Sequence, residues 1–335
     1  IINEVISTGK HTLEFRFGTI KKYAFNDASD PWWNTNWRYR KNITINSNLV
    51  HENLTDFPIS VSLSSDNNLS DNAQVSGDDI VFTSSTGSKL DHEIELYEND
   101  TGKLIAWVKT DLSSTENTII YLYYGNPTAS NQENPTDVWD EDYQLVMHLK
   151  ENSTDTRVDS TQHSRNATPS EYDGDEQISG IIGYGDYFDG SGEQLNVTGY
   201  KGVTGTQERT VELWYKSNVT DGRDDRIVSW GTNSAGEKYD FRTDNSNSDS
   251  LRVENSQGQK YGNTDIMDHT WHYLVVTLPQ LVTPDVQDHN LYVDGVLETT
   301  TGGETQSLNT DSGEDVVIGN SNWHPDPTYA VLDEV

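Results

Sequence analysis

Hydrophobic and polar residues alternate over short stretches along most of the chain, with the period of two that is typical of β-strands. Thr12–Phe17 is a clear example, since Leu13, Phe15 and Phe17 alternate with polar residues. Clusters of Asn, Asp, Gly and Ser separate these stretches and indicate turns. Helical periodicity is scarce. The pattern therefore predicts an all-β protein.

The alternating stretches fall into two sets, which we interpret as two β-sandwiches in tandem. The first set comprises residues 41–45, 59–63, 80–83, 92–97, 104–109 and 119–124. The second comprises residues 143–149, 210–216, 227–230, 272–277, 290–293 and 316–318. Polar stretches at 27–31 and 128–136 are predicted linkers. The predicted domains are therefore 29–130 and 131–335. Residues 1–28 are predicted to end a preceding β-module, with a hairpin formed by Thr12–Phe17 and 23–25.

The amino-acid composition indicates which residues fill the core and which classes of partner are excluded. Only 32% of the residues are hydrophobic and the mean hydropathy is −0.76, but 9 Trp, 17 Tyr and 7 Phe can fill thin β-layers. The net charge is −33, from 55 acidic and 22 basic residues. Such a surface repels phosphate backbones and anionic lipids, which argues against nucleic-acid and membrane-surface partners.

Cysteine is absent, which excludes disulfides and thiol chemistry and favours a prokaryotic exterior or the cytosol. No run approaches the roughly 20 apolar residues of a membrane span. The sequence starts at Ile1 without Met and stops at Val335 inside a predicted strand. We therefore expect the native protein to extend in both directions.

The first set of strands resembles a domain of unknown function that is common in archaeal and bacterial surface proteins. Six blocks carry the resemblance in order: WRYR at 37–40, DFP at 56–58, DDIVFT at 78–83, HEIE at 92–95, AWVK at 106–109 and YYGN at 123–126. The resemblance implies an extracellular surface module without an established activity.

The second set resembles a LamG-like jelly roll of the concanavalin A-like lectin/glucanase group. The matching blocks are VMHL at 146–149, DST at 159–161, YFDG at 187–190, VELWYK at 211–216, TWH at 270–272, LYVDG at 291–295, IGN at 318–320 and LDEV at 332–335. The resemblance implies a jelly roll that is truncated at its closing strand. It does not fix the function, because this fold is shared by lectins, enzymes and spacers.

Jelly rolls of this group often hold one calcium ion where an early loop meets the closing strand. The resemblance implies Asp159, Asp189 and Asp333 as its ligands, since calcium prefers carboxylate and carbonyl oxygens. Asp189 and Asp294 each precede a glycine and can equally be ordinary turn residues.

Two strings suggest catalysis or a transition metal, and both favour a structural interpretation. Glu93 and Glu95 resemble the paired carboxylates of retaining glycosidases, but they lie in the first sandwich and within the block typical of the domain of unknown function. His269 and His272 are three apart, so on a strand they would point to opposite faces. The sequence therefore predicts a non-catalytic protein.

Binding sites for sugars and attached glycans are further candidates. Loop aromatics that could stack on a sugar are Trp230, Tyr261, Trp323 and Tyr329. Sequons for N-glycosylation fall at Asn42, Asn53, Asn68, Asn99, Asn152, Asn166, Asn196 and Asn218.

The preferred hypothesis is a non-catalytic structural or adhesive protein of a prokaryotic, archaeal cell surface, with homotypic assembly into a filament or layer, or with cell-surface glycans as partners. One alternative is a calcium-dependent lectin. The other is the non-catalytic binding portion of a larger secreted glycoside hydrolase. Calcium is the expected cofactor, and no organic cofactor is expected.

Overall fold

The computed structural model describes residues 2–5, 12–17, 21–22, 32–220, 222–245, 249–300, 303–324 and 326–335. Its secondary structure is almost entirely β, which confirms the predicted fold class. The chain divides into two compact units. The first unit comprises Ile1–Gln144 and Ser160–Gln162, and the second comprises Leu145–Asp159 and His163–Val335. The division after residue 144 places 131–144 with the first unit, where the sequence-based boundary assigned that stretch to the second domain.

The first unit consists of two packed sheets and short helical turns. Its elements are β1 (Ile2–Val5), β2 (Thr12–Phe17), β3 (Lys21–Lys22), β4 (Tyr39–Ile45), a 3-10 turn (Ser47–Leu49), β5 (Leu54–Leu63), α1 (Asn67–Asn72), β6 (Val81–Ser84), β7 (His92–Glu98), β8 (Lys103–Leu112), β9 (Thr118–Tyr124) and α2 (Pro135–Val138). Sheet A has the order β1-β2-β4-β9-β6, with β3 also paired to β4, and sheet B has the order β5-β8-β7. Neighbouring strands in both sheets are antiparallel.

The N-terminal strands were expected to belong to a preceding module, and the structure instead adds them to sheet A. Phe17 of β2 pairs with Ile43, and Lys21 of β3 pairs with Arg40. The backbone hydrogen bonds of β4 would otherwise be unpaired along this edge, and strand addition satisfies them. The predicted second strand of the hairpin, 23–25, lies outside the described residues.

The core of the first unit lies between sheets A and B. Alternate residues of β4 and β9 meet those of β5 and β8, as in Ile43, Leu122, Ile59 and Ala106, which are all fully buried. Each of the isoleucine and leucine side chains among them stabilises the fold by ~1.5–3 kcal/mol when it is removed from water. The alternation that predicted these strands is therefore the alternation that builds the core.

The second unit is a sandwich of two seven-stranded sheets. Its elements are β10 (Thr168–Ser170), β11 (Gln177–Ser179), β12 (Tyr184–Asp189), β13 (Gln194–Val197), β14 (Arg209–Ser217), β15 (Arg226–Gly231), β16 (Lys238–Asp244), β17 (Ser250–Glu254), β18 (Gln259–Tyr261), β19 (His272–Leu278), a 3-10 turn (Val286–Asp288), β20 (Asn290–Val293), β21 (Val296–Leu297), β22 (Val316–Ile318) and β23 (Tyr329–Asp333). Sheet C has the order β10-β13-β22-β15-β16-β17-β18, and sheet D has the order β11-β12-β23-β14-β19-β20-β21.

Two details of this unit differ from the sequence-based expectation. Residues 143–149 were predicted to be a strand, but only Met147 makes backbone hydrogen bonds to Val335, one in each direction. The apolar alternation of this stretch instead seats Met147 and Leu149 in the core. Strands β10–β13, β16–β18 and β21 were not predicted, and the strand predicted at the end of the sequence is β23, which ends at Asp333.

A buried ion pair joins two segments inside the second unit. The Arg157 Nε and Nη2 atoms donate to the two carboxylate oxygens of Asp186 at 2.8 and 2.7 Å, and both side chains are fully buried. The hydroxyl of Tyr172 also donates to Asp186, at 3.2 Å. Burial raises the pKa of Asp186 to about 6, although its contacts with Arg157 oppose that shift.

We expect Arg157→Met to lower the free energy of unfolding by about 3–5 kcal/mol, because the carboxylate of Asp186 would remain buried without its cation. The double variant Arg157→Met/Asp186→Leu should recover at least half of that loss, since neither charge is left unpaired. Urea unfolding of both variants checks this. A double variant as unstable as the single one would show that the pair itself, and not the orphaned charge, carries the stability.

A second test concerns Glu212 of β14, whose pKa burial raises to about 7, against the opposing effect of a hydrogen bond with Tyr273. The folded state then binds the proton more tightly than the unfolded state does. The contribution of Glu212 to the free energy of unfolding is therefore fully present below pH ~4.5 and is lost as the pH rises through ~7. Glu212→Gln should therefore raise the free energy of unfolding at pH 8 by up to ~3 kcal/mol, with a matching rise in melting temperature. At pH 4 it should change both quantities little. An equal gain at both pH values would contradict this assignment.

Candidate functional site

Strand β16 has charged residues on the face of sheet C that points away from the core. Tyr239 and Phe241 face the core, so Lys238, Asp240 and Arg242 face the opposite side. We call this side the outer face of sheet C. Yet these three charged residues are only 1%, 0% and 3% exposed. A strand buried on both faces must satisfy its charges within the protein.

A network of ion pairs on the outer face meets this requirement. Arg226 contacts Asp240 and lies 3.1 Å from Asp326, while Arg242 Nη2 lies 2.9 Å from Asp224. The carboxylate of Glu254 on β17 is the centre of the network. It contacts Lys238 and Arg252, and lies 3.3 Å from Arg242 Nη1.

The electrostatics of Glu254 and Arg242 favour the charged form of each. Burial alone would raise the pKa of Glu254, but Lys238, Arg252 and Arg242 lower it to about 2. Burial likewise acts against the charged form of Arg242, and its carboxylate neighbours nevertheless raise its pKa. Fixed, ionised groups of both signs therefore underlie this face.

The segment 319–324 lies along the outer face and adds an aromatic ring. The Lys238 Nζ atom lies 5.7 Å from the centroid of the Trp323 ring, within the range of a cation–π interaction, and Ser229 Oγ donates to the Asn320 carbonyl at 3.0 Å. Trp323 is half-buried, so part of its ring is accessible to solvent.

Several buried polar atoms of this face have no hydrogen-bond partner among the described residues, Arg252 Nε and Ser250 Oγ among them. Two further ones are the Oδ1 of Asp240, an acceptor, and the Nε1–H of Trp323, a donor. Leaving such a group unpaired costs about 1–3 kcal/mol, so each calls for a water or a ligand group. A hydroxyl can both donate and accept, and so can satisfy either atom. Fixed charges beside a partly exposed indole are suited to a polyhydroxylated ligand.

The four predicted sugar-stacking aromatics are distributed over different environments. Trp230 is buried and stacks on Tyr239 at 4.1 Å inside the core, so the prediction that it is a loop platform is wrong. Tyr261 is only 9% exposed, with the Arg252 guanidinium 5.5 Å from its ring. Of the four, Tyr261 and Trp323 both contact charged residues of the network on the outer face, and Trp323 is the more exposed of the two.

Tyr329, the fourth predicted aromatic, lies on β23 in sheet D. It is half-buried, and its ring centroid is 6.3 Å from that of Tyr187 and 5.4 Å from the guanidinium carbon of Arg223. The charged residues of β16 were missed as site residues. The signal was present in KYDFRTD at 238–244, where aromatic and charged residues alternate.

The three predicted calcium ligands do not form one ligand set. Asp159 accepts hydrogen bonds from the backbone amides of Val146 and Arg165. Asp333 accepts from the amides of Ile181 and Ile182. Asp189 pairs with Tyr329, four residues from Asp333 along β23, which corresponds to roughly 13 Å.

Asp189 instead interacts with carboxylates of a different region, through its charge with Asp175 and through a hydrogen bond with Glu193. Asp173, Asp175 and Glu176 have carboxylate oxygens close enough together to hold a metal ion. A hydrogen bond with Asp173 and its negative charge raise the pKa of Asp175, and Asp189 adds to this effect. Burial and a hydrogen bond with Asp189 raise the pKa of Glu193 to about 7. Calcium therefore stays a prediction, with these carboxylates as the group that fits it.

Glu93 and Glu95 have structural contacts. Glu93 accepts from Trp139 Nε1 at 3.3 Å and Glu95 accepts from Trp107 Nε1 at 2.9 Å. The two indole rings lie 5.4 Å apart, so the carboxylates orient a buried aromatic pair.

The two histidines have separate partners. His269 Nδ1 lies 3.2 Å from the Ser217 carbonyl. His272 lies between Asp294, at 2.9 Å, and Asp268, at 3.2 Å. The hydrogen bond with Asp294 is the main reason that the pKa of His272 is raised. Among the described residues, neither histidine belongs to a group of three or more potential metal ligands.

The asparagines of the predicted sequons are all at least partly accessible. The exposed ones are Asn53, Asn152 and Asn166, and the half-buried ones are Asn42, Asn68, Asn99, Asn196 and Asn218. Their glycosylation stays a prediction.

Two family models match this chain in tandem. Residues 76–164 match a domain of unknown function (DUF2341), and residues 189–335 match the concanavalin A-like lectin/glucanases superfamily. Both matches confirm the resemblances drawn from the sequence. The outer face of sheet C lies within the second match. No curated protein matches the chain.

The chain is also similar to a solved structure from Bacteroides ovatus, described as a "putative carbohydrate binding protein". The two are 13% identical, with a TM-score of 0.34, and the alignment covers 84% of this chain and 75% of that one. A TM-score this low does not define a shared fold. In the part of the chain that the structure describes, no helix has the length and apolar character needed to cross a membrane.

The acidic group around Asp189 gives a direct test for calcium. We expect millimolar CaCl2 at pH 7.5 to raise the free energy of unfolding by about 1–2 kcal/mol, because the ion would neutralise carboxylates that repel one another. Asp175→Asn and Glu193→Gln should each reduce this gain, and Asp111→Asn in the first unit serves as the matched control. Differential scanning calorimetry with and without EGTA measures it. A gain of the same size in all variants would place the ion elsewhere.

Proposed function

We propose that this protein is a non-catalytic, extracellular carbohydrate-binding protein that attaches to cell-surface glycans through the outer face of sheet C. The observation that carries the proposal is the pair of unpaired polar atoms, Asp240 Oδ1 and Trp323 Nε1, on a face that also offers part of an indole ring.

The chemistry of the face suits a sugar. A pyranose ring presents C–H groups that pack on an aromatic ring, and hydroxyls that hydrogen bond to planar polar side chains. Trp323 supplies the ring, while Asp326 and Asp224 are 44% and 34% exposed at their side chains and can accept hydrogen bonds from hydroxyls. The buried ion pairs hold these groups in place before the ligand arrives, which reduces the entropy lost on binding.

The match of residues 189–335 to the concanavalin A-like lectin/glucanases superfamily supports a carbohydrate ligand. The fold by itself is shared by binding proteins and enzymes, so the choice of binding depends on the site. Glu93 and Glu95, the carboxylates that most resemble a catalytic pair in sequence, hold tryptophan side chains. The high negative charge, −33, suits a soluble surface protein that does not attach to anionic lipid.

A glycan array probed with the whole chain, followed by calorimetric titration of the best glycan, tests the proposal. Trp323→Ala should weaken binding at least about tenfold, since it removes both stacking and a hydrogen-bond donor. Trp323→Phe keeps an aromatic ring but lacks the Nε1–H, so its affinity should fall between that of the wild type and that of Trp323→Ala. The matched control is Tyr184→Ala, which removes a partly exposed aromatic of sheet D.

Two results would contradict the proposal. An array without signal, with and without calcium, would exclude glycan binding as the function. Binding that Trp323→Ala leaves unchanged, with the variant folded by circular dichroism, would place the sugar away from the outer face of sheet C.

A further inference from the structure

A lysine and an aspartate form a buried ion pair within the first unit. Lys41 is on β4, at a position whose neighbours Ile43 and Ile45 face the core, and its Nζ atom contacts Oδ2 of Asp66. The Lys41 and Asp66 side chains are 6% and 11% exposed. The pair belongs to the first unit, whereas the candidate sugar site belongs to the second.

The surroundings of Lys41 are apolar. It is opposite Leu122 of β9, and two residue pairs further along the same two strands the rings of Tyr39 and Tyr124 stack at 5.4 Å. Leu122 and Tyr124 are fully buried. Burial lowers the pKa of Lys41 to about 8, so the neutral amine is accessible near physiological pH. A neutral amine is a nucleophile, whereas an ammonium group is not.

The carboxylate of Asp66 is fixed by hydrogen bonds to Oδ1, the oxygen that does not contact Lys41. Its Oδ1 accepts from the backbone amides of Asn68 and Leu69 at 2.9 and 3.0 Å, and its own amide donates to the Thr101 carbonyl. Gly102 has a φ of +66°, and a Cβ there would lie 2.0 Å from the Asp66 carbonyl oxygen, so this turn requires glycine. The carboxyl group is therefore fixed, with Oδ1 polarised and Oδ2 directed at the amine.

We propose that Lys41 and Asp66 condense into an intramolecular amide bond, which links strand β4 of sheet A to the segment that follows β5 of sheet B. In the low-dielectric interior the proton of the ammonium passes to the carboxylate, which gives a neutral amine and a neutral carboxylic acid without an external base. The Nζ lone pair then attacks Cγ. The negative charge that develops on Oδ1 is stabilised by the amides of Asn68 and Leu69.

The reaction is balanced without any other reagent. The Nζ–Cγ bond forms, the Cγ–Oδ2 bond breaks, and Oδ2 leaves as water with one proton from the nitrogen and one from the carboxylic acid. No oxidant or reductant takes part. Other buried lysine contacts are of a different kind: Lys238 is shared between Asp240 and Glu254 inside a network with several arginines.

Mass spectrometry of the intact, denatured chain tests the proposal. We expect a mass lower than that of the sequence by one water molecule, and a digest that contains one branched peptide joining Lys41 to Asp66. Lys41→Arg should restore the full mass, since a guanidinium group does not form the amide. Lys103→Arg is the matched control, because Lys103 forms an exposed ion pair with Glu98 at 3.6 Å in the same unit and should keep the deficit.

The wild-type measurement decides the question even if a variant fails to fold. A full mass, with Lys41 and Asp66 recovered in separate linear peptides, would overturn the proposal and leave an ordinary buried ion pair. A deficit of one water located elsewhere, as from a succinimide at an Asp-Gly sequence, would overturn it as well, and the branched peptide distinguishes the two.

Discussion

The second unit depends on a strand that is buried on both faces. In β16, Tyr239 and Phe241 contribute to the core while Lys238, Asp240 and Arg242 are equally inaccessible on the other side. Charges in such a place are tolerated only when each has a partner of opposite sign with good geometry. The ion pairs with β15, β17 and the segment after β22 are consequences of this requirement. Rigid positioning of the groups around Trp323 follows from it in turn.

The sequence predicted strands that are rich in apolar residues, both where burial is one-sided, as in β4, and where it is two-sided, as in β15. Ile43 and Ile45 alternate with polar residues, and that pattern alone defines a strand and its inner face. Strand β16 was not predicted because four of its seven residues are charged. These residues lower the hydrophobicity of the segment, although all seven are buried. The candidate site could not be assembled from spacing either. Asp326 meets Arg226 from a hundred residues away in sequence, and only the sheet order brings them together.

A chain without cysteine must stabilise its thin layers by other means. In the first unit the contact of Lys41 with Asp66 connects sheet A to the segment that follows β5 of sheet B. As an amide bond, this connection would close a loop of roughly 25 residues. The chain-entropy relation for a cross-link of that length corresponds to roughly 3–4 kcal/mol, a large fraction of the stability of an ordinary domain. Such a link is also insensitive to reducing agents.

Sheets C and D share a topological feature with consequences for how the second unit is made. Strand β22 lies between β13 and β15, and strand β23 lies between β12 and β14, so in each sheet a late strand fills a central position. Until β22 and β23 are synthesised, two sheet edges stay unpaired in each half of the sandwich. At ribosomal rates of ~5–20 residues per second, the interval between β14 and β23 lasts on the order of ten seconds. During that time the nascent chain exposes aggregation-prone edges, and a chaperone or the arrival of the last strands must protect them.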